Sequence, residues 1–177
     1  RFTMDKDVDK KQVAYIGIRY VGISVLVIAM GLIPCHFLRI FESIHGLEIM
    51  ILLYYVSYVM NQYFIQLAKG LEKVSSMAVA GIIGTVVMLG GNILFLLVFH
   101  WQLKGFMLAN ILAQAIPALY FFIKLHFLRF IKDMKLDKGL GKEMLQYCFP
   151  LIFSTIGWWI NSASDRYAVS YLVGIGA

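Results

Sequence analysis

Residues 13–33 read VAYIGIRYVGISVLVIAMGLI, with one charge, Arg19, in the whole run. At 1.5 Å per residue a helix of this length spans a hydrocarbon layer about 30 Å thick. The run is too long for the apolar part of a signal peptide, no small-residue cleavage site follows it, and Pro34 marks its end. It is expected to stay in the membrane. Four further runs of similar length, at 46–67, 75–99, 105–127 and 147–173, are separated from it and from each other by charged or turn-rich segments. Lipid offers backbone groups no partner, so each must bond within its own segment, and these runs exceed the 10 or so residues of a tilted barrel strand. The expected fold is an all-α, polytopic helical membrane protein with five crossings.

The composition points the same way. Of 177 residues, 60% are apolar and 15% charged, against roughly 25% charged in soluble domains. A mean hydropathy of +0.77 excludes disorder and a solvated globule. The chain starts at Arg1 and stops at Ala177 inside an apolar run, and is expected to be a piece of a longer protein. Its sixteen basic residues are unevenly placed. Twelve lie in residues 1–12, 68–74 and 124–142, the other connecting segments hold only Arg39 and Lys104, and Arg19 and Arg166 sit inside helices. Positive loops stay on the cytoplasmic side, so residues 1–12, 68–74 and 124–146 are expected there and the C-terminal end outside. The net charge of +6 is thus chiefly a topology signal, and no nucleic-acid partner is expected.

Catalytic and metal chemistry find little support. Cys35 and Cys148 fall on opposite expected sides of the membrane, which separates them beyond disulfide reach. His36, His45, His100 and His126 show no metal-ligand spacing, and neither a nucleophile elbow nor a phosphate-binding glycine loop occurs. No enzymatic activity, metal or cofactor is expected. The loop KLHFLRFIKDMKLDKGLGK, 124–142, interleaves aromatic and basic residues and reads as a cytoplasmic linker or a surface helix touching anionic lipid.

The informative polar residues lie within the helices. In the second run Tyr55, Tyr58, Gln62, Gln66 and Lys69 share one face, with Asn61 beside it. This face is either hydrogen-bonded to neighbouring helices or the wall of a hydrated cavity. Ser76, Ala80 and Gly84 form a small-residue stripe on the third run, suited to close helix packing. On the fourth, Asn110, Gln114 and Pro117 lie along one side, and Pro117 removes a backbone donor. The fifth carries Asn161, Asp165 and Arg166. Ionisable groups inside a membrane helix cost about 2.5–3.5 kcal/mol even on lenient scales, which makes them functional candidates by default. Arg166 could instead snorkel outward, as could Arg19 inward.

Several segments resemble the polysaccharide exporters of the multidrug/oligosaccharidyl-lipid/polysaccharide flippase superfamily, and its Wzx-type O-antigen flippases in particular. Arg1-Phe2 with DKDVDKK (5–11) looks like the family's cytoplasmic approach to its third helix. KGLEK (69–73) resembles the turn between helices four and five, and LLVFHWQLKGFMLANILAQAI (96–116) is similar to the outer turn and start of helix six. FPLIFSTIGWWINSASDRYAVSYLVGIGA (149–177) looks like helix seven, with Asp165-Arg166-Tyr167 matching a D-R-Y/F element. The resemblance implies helices three to seven of a twelve-helix, two-lobe transporter: residues 1–127 in the N-terminal lobe, 128–146 as a cytoplasmic inter-lobe loop, and 147–177 opening the C-terminal lobe. It also implies passage of an undecaprenyl-pyrophosphate-linked oligosaccharide across the cytoplasmic membrane by alternating access, for surface polysaccharide biosynthesis. Arg19 and Arg166 would offset phosphate charge, and Tyr58, Asn61, Gln62 and Asn161 would bond sugar hydroxyls. Asp165 would couple to a proton or sodium ion, if the cycle is ion-driven. The implied partners are the bilayer, the lipid-linked substrate and glycan-assembly proteins. A cation-coupled small-molecule antiporter of the same superfamily is the alternative, ahead of a membrane glycan polymerase or ligase.

Overall fold

The computed structural model describes residues 9–38, 47–127 and 138–173, with side chains at 9–32, 47–127 and 139–164. All of its regular structure is helical. Five helices, α1 Lys10–Leu38, α2 Glu48–Gly70, α3 Val74–Asn92, α4 Gln102–Lys124 and α5 Lys138–Val173, are joined by short turns or by segments outside the described residues, and a π-helical stretch, Ile93–Val98, prolongs α3. Three of these are long and apolar enough to cross a membrane: Lys10–Leu32, Val74–Val98 and Gln102–Lys124. Of the five crossings expected from the sequence, α2 and α5 do not reach that hydropathy. Tyrosines and carboxamides dilute the apolar character of α2, and α5 opens on the polar stretch KGLGKEMLQYC.

Several boundaries differ from the sequence-based ones. Helix α1 begins at Lys10 and continues beyond Pro34 to Leu38, because proline removes one backbone donor but leaves the remaining turns intact. The last helix begins at Lys138 rather than 147; Gly139 and Gly141 are tolerated in the helix at about 1 kcal/mol each. The chain divides into two units, Arg1–Leu136 and Asp137–Ala177. The second, taken by itself, is α5, whose side chains from Phe149 to Ile160 are exposed and mostly large and apolar. A helix apolar on every side requires lipid or other helices around it.

The first unit is a four-helix bundle whose core sits at one end. Ala14 of α1, Phe64, Leu67 and Ala68 of α2, Ala80 of α3, and Ala118 and Phe121 of α4 are buried together with Leu125 and Phe127 just beyond α4. Phe64 is the hub, lying 5.1 Å from Phe127 edge-to-face and 6.5 Å from Phe121 in a stacked pair; aromatic pairs at such spacings contribute about 0.5–1.5 kcal/mol beyond area burial. Helix α1 joins through Tyr63, whose Oη donates to the Ala14 carbonyl at 2.7 Å. The opposite end is looser, with Leu26, Val27 and Met30 of α1 and Ile49 and Leu53 of α2 exposed.

Helices α3 and α4 pack through small residues. A Cβ on Gly84 would lie 3.3 Å from both the Ala113 carbonyl oxygen and Pro117 Cγ, and one on Gly91 would lie 3.1 Å from Ala109 Cβ. Their hairpin closes over a ring stack of Phe95, Phe99 and Trp101, with Phe95 and Trp101 nearly coplanar in orientation at 5.7 Å. There a Cβ on Gly105 would fall 3.0 Å from both Phe95 Cβ and Trp101 Cβ.

The α2–α3 turn is a Schellman motif, in which Lys73 N–H donates to the Ala68 carbonyl and Glu72 N–H to Lys69. Glu72 occupies its left-handed position at φ 58°, where a Cβ costs about 1–2 kcal/mol. Glu72→Gly should therefore raise the unfolding free energy by up to about 1 kcal/mol. Gly105→Ala should lower it by about 1–3 kcal/mol through overpacking, whereas Gly90→Ala, where a Cβ meets nothing within 4 Å, should be neutral or mildly stabilising. Thermal and denaturant unfolding of the detergent-solubilised protein checks all three.

Candidate functional site

The polar residues of α2 separate into two sets. Tyr58, Gln62, Gln66 and Lys69 form an outward-facing stripe. Tyr58 is 43% exposed and stacks on Tyr54 at 6.2 Å, Gln62 is half-buried, and Gln66 and Lys69 are exposed. Tyr55, expected on the same stripe, is half-buried. Arg19 of α1 is exposed as well. These groups line no closed cavity within the first unit; they form an open polar flank on an apolar bundle.

Asn61 belongs to the other set. It is 7% exposed, and its Nδ2 donates to Gln114 Oε1 of α4 at 2.7 Å. Asn61 Oδ1 is also buried and has no partner. Gln114 thus lies on the α2–α4 contact, together with Pro117, which leaves the Ala113 carbonyl without the intrahelical donor it would otherwise have. Asn110, expected on the same side as Gln114, instead donates to the Phe106 carbonyl of its own helix. A cleft of about 350 Å³ opens beside the Asn61–Gln114 pair, bounded by Ile65 of α2, Met77, Gly81 and Met88 of α3, and Pro117 of α4. No charged residue lines it. A larger hollow of about 730 Å³ lies at the loose end of the bundle, among Leu47, Met50, His100, Trp101 and Lys104.

Of the residues singled out from the sequence, then, Tyr58 and Gln62 share a face and Asn61 turns away into the packing. Asn161 is exposed on α5 in the second unit. Asp165 and Arg166 lie on α5 and Cys35 and His36 on α1, all four with side chains outside the described residues, and His45 lies outside the described residues altogether. Cys148 is an exposed free thiol. Among the described residues no three His, Cys, Asp or Glu side chains gather as a metal site would require. Gln114 was not among the expected site residues. The available signal was its carboxamide at mid-helix, three residues before a proline, where an unpaired polar group is costly in lipid.

The Asn61–Gln114 bond yields a double-mutant cycle. Gln114→Leu should destabilise by about 1–2 kcal/mol, because it strands the buried Asn61 Nδ2, and Asn61→Leu by less, because Gln114 is only half-buried. The double variant should recover a coupling of about 0.6 kcal/mol, and no more than about 1.7, the range found between membrane helices; unfolding free energies in mixed micelles measure it. No protein-family model, curated protein or solved structure matches the chain.

Proposed function

We propose that this chain is part of a transporter that moves a lipid-linked oligosaccharide across the cytoplasmic membrane, from the inner to the outer leaflet. The observation carrying this reading is the open stripe of Tyr58, Gln62, Gln66 and Lys69 on a bundle whose other exposed side chains are largely apolar. Such a stripe cannot face hydrocarbon without losing hydrogen bonds worth several kcal/mol, so it calls for water or a polar cargo beside it. Sugar hydroxyls need donors and acceptors at mid-membrane, which tyrosine and carboxamide side chains provide in both roles. An anionic pyrophosphate needs positive charge, which Lys69 and Arg19 would contribute on the first unit; on the second unit, taken by itself, Arg166 and Asn161 carry the corresponding phosphate and hydroxyl roles. Asp165 is the group in this reading that would couple the cycle to a proton or sodium ion. No covalent step is involved, so no catalytic set is required.

The taper of the bundle supports the same reading. Its packed core joins the start of α1, the end of α2, the start of α3 and the end of α4, the ends that carry the excess of basic residues and are assigned to the cytoplasm. The looser end would face outward. A lobe packed most tightly at one end is an element that an alternating-access cycle can rock against its counterpart.

In a strain lacking the full-length protein, lipid-linked oligosaccharide should accumulate in the inner leaflet and surface glycan should be lost. Wild-type protein should restore export; Arg166→Ala, or Gln62→Leu combined with Gln66→Leu, should reduce it by about tenfold or more while leaving expression unchanged. Restored dye efflux without any change in the glycan would favour the small-molecule antiporter. For orientation, a single cysteine placed at Glu72 should react with an impermeant maleimide only from the cytoplasmic side, and one at Gln102 only from outside.

A further inference from the structure

The α2–α3–α4 cleft holds an unmet hydrogen-bonding demand at Asn61, a residue that the resemblance assigns to sugar hydroxyls but that the packing turns away from the polar flank of α2 into the contact with α4. Asn61 is more than nine-tenths buried, its Nδ2 is committed to Gln114, and its Oδ1 faces no donor in the protein. A buried carbonyl-type oxygen without a donor costs about 1–3 kcal/mol, and the adjoining cleft, with room for about a dozen water volumes, is the space from which a donor can arrive. The rest of the lining narrows its identity. Thr85 Oγ1 already donates to the Gly81 carbonyl and so offers only lone pairs, and Pro117 leaves the Ala113 carbonyl, also on the cleft, as a further acceptor. Gln114 Nε2 is a donor on the same lining, and beside it Asn61 Oδ1, Thr85 Oγ1 and the Ala113 carbonyl leave the polar end of the cleft with more acceptors than donor groups. With no acidic side chain on its wall, a cationic donor would be desolvated without compensation. The remainder, Ile65, Met77, Met88 and Leu89, is apolar, and methionine adapts to irregular hydrocarbon shapes.

We propose that this cleft is a binding site for an uncharged, hydroxyl-bearing amphiphile. The ligand's O–H donates to Asn61 Oδ1, and its alkyl body lies along the two methionines of α3. This ligand is distinct from the transported one, and the site depends only on these helices lying in lipid. Gly81 offers a way to narrow it: the residue borders the cleft and a Cβ there meets nothing within 4 Å, so Gly81→Leu adds bulk at the cleft wall from a position where the first side-chain atom meets no neighbour.

The test is photolabelling of the full-length protein in phosphatidylcholine nanodiscs with decanol carrying a mid-chain diazirine, followed by peptide mapping. Labelling should concentrate on residues 77–89, should be displaced by decanol at least about tenfold more effectively than by its methyl ether, and should fall about tenfold in Gly81→Leu and in Asn61→Leu. Equal displacement by alcohol and ether would overturn the proposal, reducing the site to an apolar crevice. Labelling that persists in Gly81→Leu would place the probe elsewhere and overturn it too, as would absence of labelling on 77–89 in the wild type. Gly81→Leu keeps the outcome decisive if Asn61→Leu fails to fold, and transport is not needed for any of these readouts.

Discussion

The packing of α3 on α4 rests on the absence of Cβ atoms where the two helices meet. Between helices in lipid the hydrophobic effect offers little, since acyl tails are as apolar as leucine, and association depends on close backbone approach and on hydrogen bonds made across the contact. Gly84 against the Ala113 carbonyl and Pro117, Gly91 against Ala109, and Gly105 against Phe95 and Trp101 supply that approach along the length of the hairpin. Pro117 contributes twice, by freeing a carbonyl and by presenting a ring that only a glycine can approach so closely.

Around this seam the bundle tapers. At the end with the basic turn, phenylalanines from α2 and α4 fill the space and Tyr63 ties in α1 through a single hydrogen bond. At the other end α3 and α4 stay packed, while α1 and α2 leave leucine, isoleucine, valine and methionine outward. In water that exposure would drive aggregation, whereas in lipid it carries little penalty, so a core confined to one end is sufficient there. It also lets α1 and α2 change shape at that end at lower cost than at the packed one.

The polar residues of α2 show where sequence reasoning reaches its limit. Helical periodicity placed Tyr55, Tyr58, Gln62, Gln66 and Lys69 on one face; Tyr58, Gln66 and Lys69 are exposed there, and Tyr55 and Gln62 are half-buried. Asn61 stands next to Gln62 in the chain but turns into the interface with α4. One residue rotates a helix by 100°, and periodicity assigns a face without saying which helix lies opposite it. Pairing Asn61 with Gln114, fifty-three positions away, and leaving Asn110 to its own helix required the actual rotation of α4 against α2.

The sequence by itself determined that the molecule is helical with long apolar segments, and roughly where those segments lie, though not their ends. Long apolar runs must become helices wherever water is absent. It also located the stripe of small residues on α3, because close approach demands small side chains. Only the tertiary structure decided which polar side chains satisfy one another and which are left over. The free Oδ1 of Asn61 and the cleft beside it arise from the angle and register at which three helices meet. Those quantities are set by the summed packing of residues distant in the chain, and no local pattern encodes them.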